Sequence, residues 1–222
     1  MVLMHWVRGT RLQMVPRARV LHDRGLGALL FDLQAHGESP GKRITFGKLE
    51  ALDAAAAVQF VQTRAPGERI GIVGTSLGGA AAVLGPAPLA VHAMVLESVY
   101  PDIGFALDAR FRARLGRVAG SLAAPVLTTA FQLLLPPVLG VAPADLRPID
   151  RIGTVAVPVL IVSGTEDDRT PLAEARALYD RAAAPKQFWA VPGAGHGDLE
   201  QYGPDAYWRV VLPFLTGALR KQ

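Results

Sequence analysis

The residues that most constrain this chain lie between 69 and 84, where a β-type run, Arg69-Ile70-Gly71-Ile72-Val73, passes directly into Gly74-Thr75-Ser76-Leu77-Gly78-Gly79 and then into helix-forming residues 80–84. Strand, tight turn and helix in immediate succession put Ser76 at the apex of the turn. A serine backbone in such an elbow is strained, and a side chain two residues to either side would crowd it, which gives Gly74 and Gly78 a physical purpose. The hydroxyl then projects above the sheet, and the start of the following helix points N–H donors and the positive dipole end at the place where an oxyanion would form. A glycine-rich turn holding a serine is also an ordinary strand-to-helix connection, so the local pattern alone does not decide. A dinucleotide-binding unit competes, because Glu97 closes the next strand about twenty residues on, where such units place a ribose-binding acid. Against it, glycines at 71, 74, 78 and 79 do not make G-x-G-x-x-G.

A serine hydroxyl is a weak nucleophile until a base takes its proton, so the elbow calls for a histidine downstream and an acid to hold it in one tautomer. Both follow separate strand-like runs. After 159–162 comes Ser163-Gly164-Thr165-Glu166-Asp167-Asp168-Arg169-Thr170-Pro171, and after 188–191 comes Pro192-Gly193-Ala194-Gly195-His196-Gly197-Asp198. Asp167 is the expected acid. Spacing does not exclude Glu166 or Asp168, and an acidic cluster there also suits the capping of a helix that begins near Pro171. His196 is the expected base, whereas His22 and His92 read as structural or solvated. Ser, Asp and His in that chain order, each at the end of a strand, favour a catalytic constellation.

Short apolar runs at 2–4, 27–31, 70–73, 93–96, 157–162 and 187–191 alternate with helical spacing. That is the pattern of an α/β fold with a mostly parallel central sheet and helices on both faces. Leu49, Leu52, Ala56 and Phe60 recur every three or four residues and are expected to face the sheet. A last helix over 207–219 should bend at Pro213, which lacks a backbone donor. The alternation breaks from 101 to 150, and a helical insertion at about 103–150 is expected to cover the sheet as a lid within one domain spanning 1–222. Within it Arg110, Arg114 and Arg117 share one face of a helix over 103–122, with Phe111, Leu115, Val118 and Leu122 on another. Its arginines read first as a solvated face, and second as attraction to a membrane surface or an anionic substrate.

The bulk properties set limits. Lys and Arg total 23 against 19 Asp and Glu, too mild an excess for nucleic-acid binding without a concentrated basic stripe. With no cysteine, a disulfide framework, a thiol nucleophile and thiolate zinc sites are excluded. The histidines form no H-E-x-x-H pair, so neither a metal nor a cofactor is implied. The N-terminus lacks the pattern of a secretory signal. The most apolar run, 126–135, should stop at Pro136-Pro137, about half of the ~20 residues of a spanning helix; it reads first as packing under the lid, and second as the lining of an acyl pocket. A soluble, cytoplasmic protein is expected; oligomeric state is not legible.

The residues as a set resemble the α/β-hydrolase superfamily, and within it the compact alpha/beta hydrolase domain-containing proteins with a small helical lid. The resemblance covers nearly the whole chain. It is carried by Leu30-Phe31-Asp32 with Ala35-His36-Gly37-Glu38-Ser39, by 74–79, by Leu96-Glu97-Ser98-Val99-Tyr100-Pro101, by Gly164, Asp167 and Thr170-Pro171, and by 193–196. It implies the α/β-hydrolase fold, a triad of Ser76, Asp167 and His196, an oxyanion donor at the Leu77 amide, and hydrolysis of a carboxylic ester or thioester. A peptidase of the same fold, or a non-catalytic binding protein, is the alternative. Two departures stand out. The family's His-Gly pair after the first central strand is His5-Trp6 here, so a second oxyanion donor at Val7 must coexist with Trp6, and loss of one donor costs ~10²- to 10³-fold in turnover. The chain also opens directly on that strand, without the N-terminal strands the family places before it, which is expected to leave a sheet edge uncovered and to reduce stability or invite pairing there.

Overall fold

The computed structural model describes residues 1–220. Six parallel strands, β1 (Val2–Met4), β2 (Leu29–Leu30), β3 (Gly71–Thr75), β4 (Ala93–Glu97), β5 (Val159–Gly164) and β6 (Lys186–Val191), form one sheet in the order β2-β1-β3-β4-β5-β6. All six expected strands are present, with shifts only at their ends. The helices are α1 (Val15–His22), α2 (Glu50–Arg64), α3 (Leu77–Val83), α4 (Ile103–Leu115), α5 (Arg117–Leu139), α6 (Pro148–Arg151), α7 (Leu172–Arg181), α8 (Leu199–Tyr202) and α9 (Pro204–Leu219).

Strand side chains alternate between faces with a period of two, and the core divides accordingly. Val2, Met4, Ile72, Met94, Leu96, Val159 and Ile161 join the cluster that includes α2, α3 and α7. Leu3, Val73, Val95, Leu160 and Val162 join the opposite cluster with Leu21 of α1 and Tyr207, Val211 and Leu215 of α9. Helices on both faces explain why the strands read as unbroken apolar runs rather than alternating ones. At its β1 end the sheet stops at β2, whose outer side carries no strand among the described residues. Being two residues long, β2 offers few unpaired groups.

Four expectations are corrected. In α2 the buried face is Glu50, Ala51, Ala54, Ala57 and Val58, whereas Leu49, Leu52, Ala56 and Phe60 are exposed and do not face the sheet. The Glu50 carboxylate accepts from Thr45 N at 2.8 Å, Thr45 Oγ1 at 2.6 Å and Gly47 N at 2.8 Å, which fixes the rotation of the helix. The small alanine face then lets α2 lie close against α3. The segment 103–122 is not one helix: Gly116, at φ 76°, breaks it, and α5 folds back on α4 so that Phe131 meets Phe111 edge-on at 6.5 Å.

The apolar run does not stop at Pro136-Pro137. Proline's fixed φ is compatible with a helix, and α5 runs through both prolines to Leu139, ending where Gly140, in the left-handed region, donates to Pro136 O. The resulting stretch, Val118–Leu139, is long and apolar enough to cross a membrane by length and composition. Nor does 126–135 pack beneath a lid, since Val126, Leu133 and Leu134 are exposed; Phe131 and Leu135 turn inward. In α9 the helix runs through Pro213.

Candidate active site

Parallel pairing brings the C-terminal ends of the central strands to one edge. Met4 lies opposite Gly74, Thr75 opposite Glu97, Glu97 opposite Val162, and Gly164 opposite Val191. Whatever follows those ends is gathered there: Ser76 directly after β3, Asp167 shortly after β5, and His196 in the loop after β6.

Ser76 has φ 51° and ψ −108°, a region disfavoured for residues other than glycine, held in place because its N–H donates to Glu97 O at 2.7 Å and its carbonyl accepts from Ala80 N at 2.9 Å. Gly78 is required by close approach, since a Cβ there would stand 2.5 Å from Met4 O. The Ser76 hydroxyl lies 3.5 Å from His196 Nε2. On the other side of the ring, His196 Nδ1 lies 3.0 and 2.9 Å from the two oxygens of Asp167, whose side chain is fully buried. Nδ1 therefore carries the proton and Nε2 presents a lone pair to Ser76. The Ser76 contact is long, as such contacts commonly are before substrate binds.

The acid left open by spacing is resolved by burial and by partners. Asp167 Oδ1 also accepts from Arg169 N at 2.9 Å and Thr170 N at 2.7 Å, which aims the carboxylate at His196, while Glu166 and Asp168 are exposed. The two loops are joined where Glu166 N donates to Ala194 O at 2.9 Å, and Gly164 allows this: a Cβ on it would fall 2.1 Å from that oxygen.

After β1, His5 orders the loop that carries Val7. Leu33 N donates to His5 Nε2 at 3.1 Å, so Nδ1 holds the proton and donates to Trp6 O at 2.8 Å. Burial lowers the His5 pKa, with the Trp6 carbonyl opposing, and keeps the ring neutral. Trp6 packs against the core cluster of α1 and α9. Val7 and Leu77 line one cavity of about 890 Å³ together with Ser76 and His196. The amide of Leu77, first in α3, has no acceptor within its own helix.

The chain matches the model of the alpha/beta hydrolase family over residues 2–210. It belongs to the alpha/beta hydrolase family. Among family relatives, an uncharacterized protein of Mycobacterium tuberculosis is 32% identical over 211 residues, 94% of this chain, which spans 66% of that relative's length. The human alpha/beta hydrolase domain-containing protein 17B is 44% identical over 55 residues, 25% of this chain and 19% of the human one. The fold is shared with an esterase of Pyrococcus furiosus, at a TM-score of 0.77 and 24% identity over 99% of this chain and 82% of the esterase. A monoacylglycerol lipase of Paleococcus ferrophilus has a TM-score of 0.67 and 23% identity, covering 97% and 93% of the two chains.

Two features of this hydrolase-family site were not singled out from the sequence. Arg17 of α1 is wholly buried. It donates to Glu97 Oε2 at 2.9 Å and lies 2.7 Å from Asp198 Oδ1, while Glu97 also accepts from Thr75 Oγ1 at 2.8 Å and from the Tyr207 hydroxyl. Burial opposes the charge, yet Glu97, Tyr207 and Asp198 hold the Arg17 guanidinium well above its ordinary value. One arginine thus ties the residue before Ser76 to the helix start just after His196. It also rules out Glu97 as a ribose-binding acid, because that carboxylate is at 0% exposure and fully engaged.

The second is Glu174 at the start of α7. Burial, followed by the nearby Asp167, Asp102 and Asp108 charges, raises its pKa from 4.5 to about 7. Its Oε2 has no hydrogen-bond partner among the described residues. A raised carboxyl pKa means that the folded chain binds more protons than the unfolded one between about pH 4.5 and 7, so stability falls as pH rises through that window. Glu174→Gln should therefore unfold at higher denaturant than the native chain above pH 7, by on the order of 1 kcal/mol for a partly screened group. The two midpoints should converge below pH 4.5; a constant offset at both pH values would contradict the assignment.

Proposed function

We propose that this chain is a serine hydrolase that cleaves carboxylic esters or thioesters of small molecules through an acyl-enzyme on Ser76. The observation that carries the reading is the line from buried Asp167 through His196 to the strained Ser76, with contacts of 2.9 and 3.5 Å. His196 Nε2 takes the proton as Ser76 Oγ attacks the acyl carbon, and Asp167 stabilises the imidazolium so formed. The negative oxygen of the tetrahedral intermediate is met by the amides of Leu77 and Val7, both residues of the cavity that holds Ser76. His196 returns the proton to the leaving alcohol or thiol. Water, deprotonated by the same nitrogen, then releases the acid and restores Ser76. No cofactor enters this sequence of steps. The packing of Trp6 against the cluster of α1 and α9, rather than in the cavity lining, supports a role for the Val7 amide.

Incubation with a fluorophosphonate, followed by peptide mapping, should give an adduct on Ser76 that is absent from Ser76→Ala. A folded native chain without the adduct would sink the reading and favour a non-catalytic binding protein. Matched butyrate esters and anilides then separate esterase from peptidase.

A further inference from the structure

We propose that the cavity above Ser76 selects amphiphilic anionic esters, with arginines at its mouth binding a phosphate or carboxylate and its apolar wall holding the other limb of the substrate. The inference rests on the serine-hydrolase reading and adds the substrate class.

Four arginines, Arg8, Arg110, Arg114 and Arg169, line the same cavity as Ser76 and His196, and Asp168 is the one acid among the lining residues. They come from three separate segments: the loop after β1, the face of α4 that also carries Ile103 and Leu107, and the loop that holds Asp167. Among the described residues, none of the four arginines has a carboxylate partner within 4 Å, so each guanidinium is left open to a ligand. Four like charges converge there with Asp168 as the one offsetting acid in the lining, and a bound anion relieves the remaining repulsion.

Two further observations point the same way. Desolvation lowers the Arg110 pKa and repulsion from Arg169, Arg8 and Arg114 adds to it, with Asp168 opposing, so these guanidiniums lie close enough to feel one another. Arg8 itself sits at φ 61°, a left-handed conformation uncommon for a long side chain, one residue after Val7. Phe46, Tyr100, Leu107, Phe111 and Phe131 line the same cavity and give it an apolar wall. Guanidinium forks pair with phosphate and carboxylate oxygens in two-point contacts, and a neutral alcohol gives them nothing comparable.

The test separates binding from chemistry. Titration calorimetry with hexyl phosphate, heptanoate and hexanol should show one or both anions binding at least about tenfold tighter than hexanol. The tighter of the two identifies the preferred anion. That advantage should shrink as salt is raised, and should be mostly lost in Arg110→Gln/Arg169→Gln. If the double variant does not fold, the salt series on the native chain decides. Hexanol binding as tightly as both anions, at any salt, overturns the proposal. Kinetics on 1-butyrylglycerol and its 3-phosphate distinguish the two readings. Equal kcat/KM on both esters removes the anion preference and leaves the hydrolase reading standing. Anion binding without cleavage of either ester keeps the anion site and removes the hydrolase.

Discussion

Asp167→Asn is expected to lower kcat on a p-nitrophenyl butyrate substrate by about 10⁴-fold while the chain stays folded. The reason is the direction of the hydrogen bonds around the carboxylate. Oδ1 accepts from the Arg169 and Thr170 amides, so an asparagine would keep its carbonyl oxygen there and turn its NH₂ toward His196 Nδ1. Facing a donor, Nδ1 must become the acceptor, and the imidazole proton moves to Nε2. That nitrogen, 3.5 Å from Ser76 Oγ, then has no lone pair with which to take the serine proton. The substitution changes neither volume nor the backbone contacts, so the unfolding midpoint should move little. A loss of less than tenfold in kcat would show that Asp167 does not set the tautomer.

Arg17→Met should destabilise the fold by about 3–5 kcal/mol, because it strands buried Glu97 without its countercharge and with only neutral donors around it. Arg17→Met/Glu97→Gln removes both charges and should recover a good part of that loss. The comparison by denaturant unfolding gives the coupling between the two residues. Simple loss of packing at position 17 predicts additive effects; rescue by the second substitution requires the ion pair. A second readout follows from the Asp198 contact. Arg17→Met should slow fluorophosphonate labelling of Ser76 even in the folded fraction, since the helix start just after His196 loses its tie to the elbow.

The sequence was informative where chemistry demands a local backbone pattern. The elbow at Ser76 is legible because its strained φ requires glycines on both sides. The strands are legible because burial on both faces leaves continuous apolar runs, and they appear at the expected places. His196 is legible from its glycine-rich loop after a strand. Helix faces were less legible. The phase of α2 is set by Glu50 bonding to Thr45 and Gly47, and a count of apolar spacing chose the wrong side. The break at Gly116 and the continuation of α5 past Pro136-Pro137 depend on how two helices fold back on one another.

By itself the sequence determined the family, the parallel α/β sheet and the serine and histidine of the candidate site, because each is encoded in contiguous residues whose conformational needs are local. Tertiary structure alone decided which acid of three meets His196, since that depends on the Arg169 and Thr170 amides turning one carboxylate inward. It also decided that Arg17 is buried beneath the site and that Arg8, Arg110, Arg114 and Arg169 share one cavity mouth. Arginine reads the same in a sequence whether solvated, buried or aimed at a ligand. Only the carboxylates and cavity walls brought to it from distant segments separate the three.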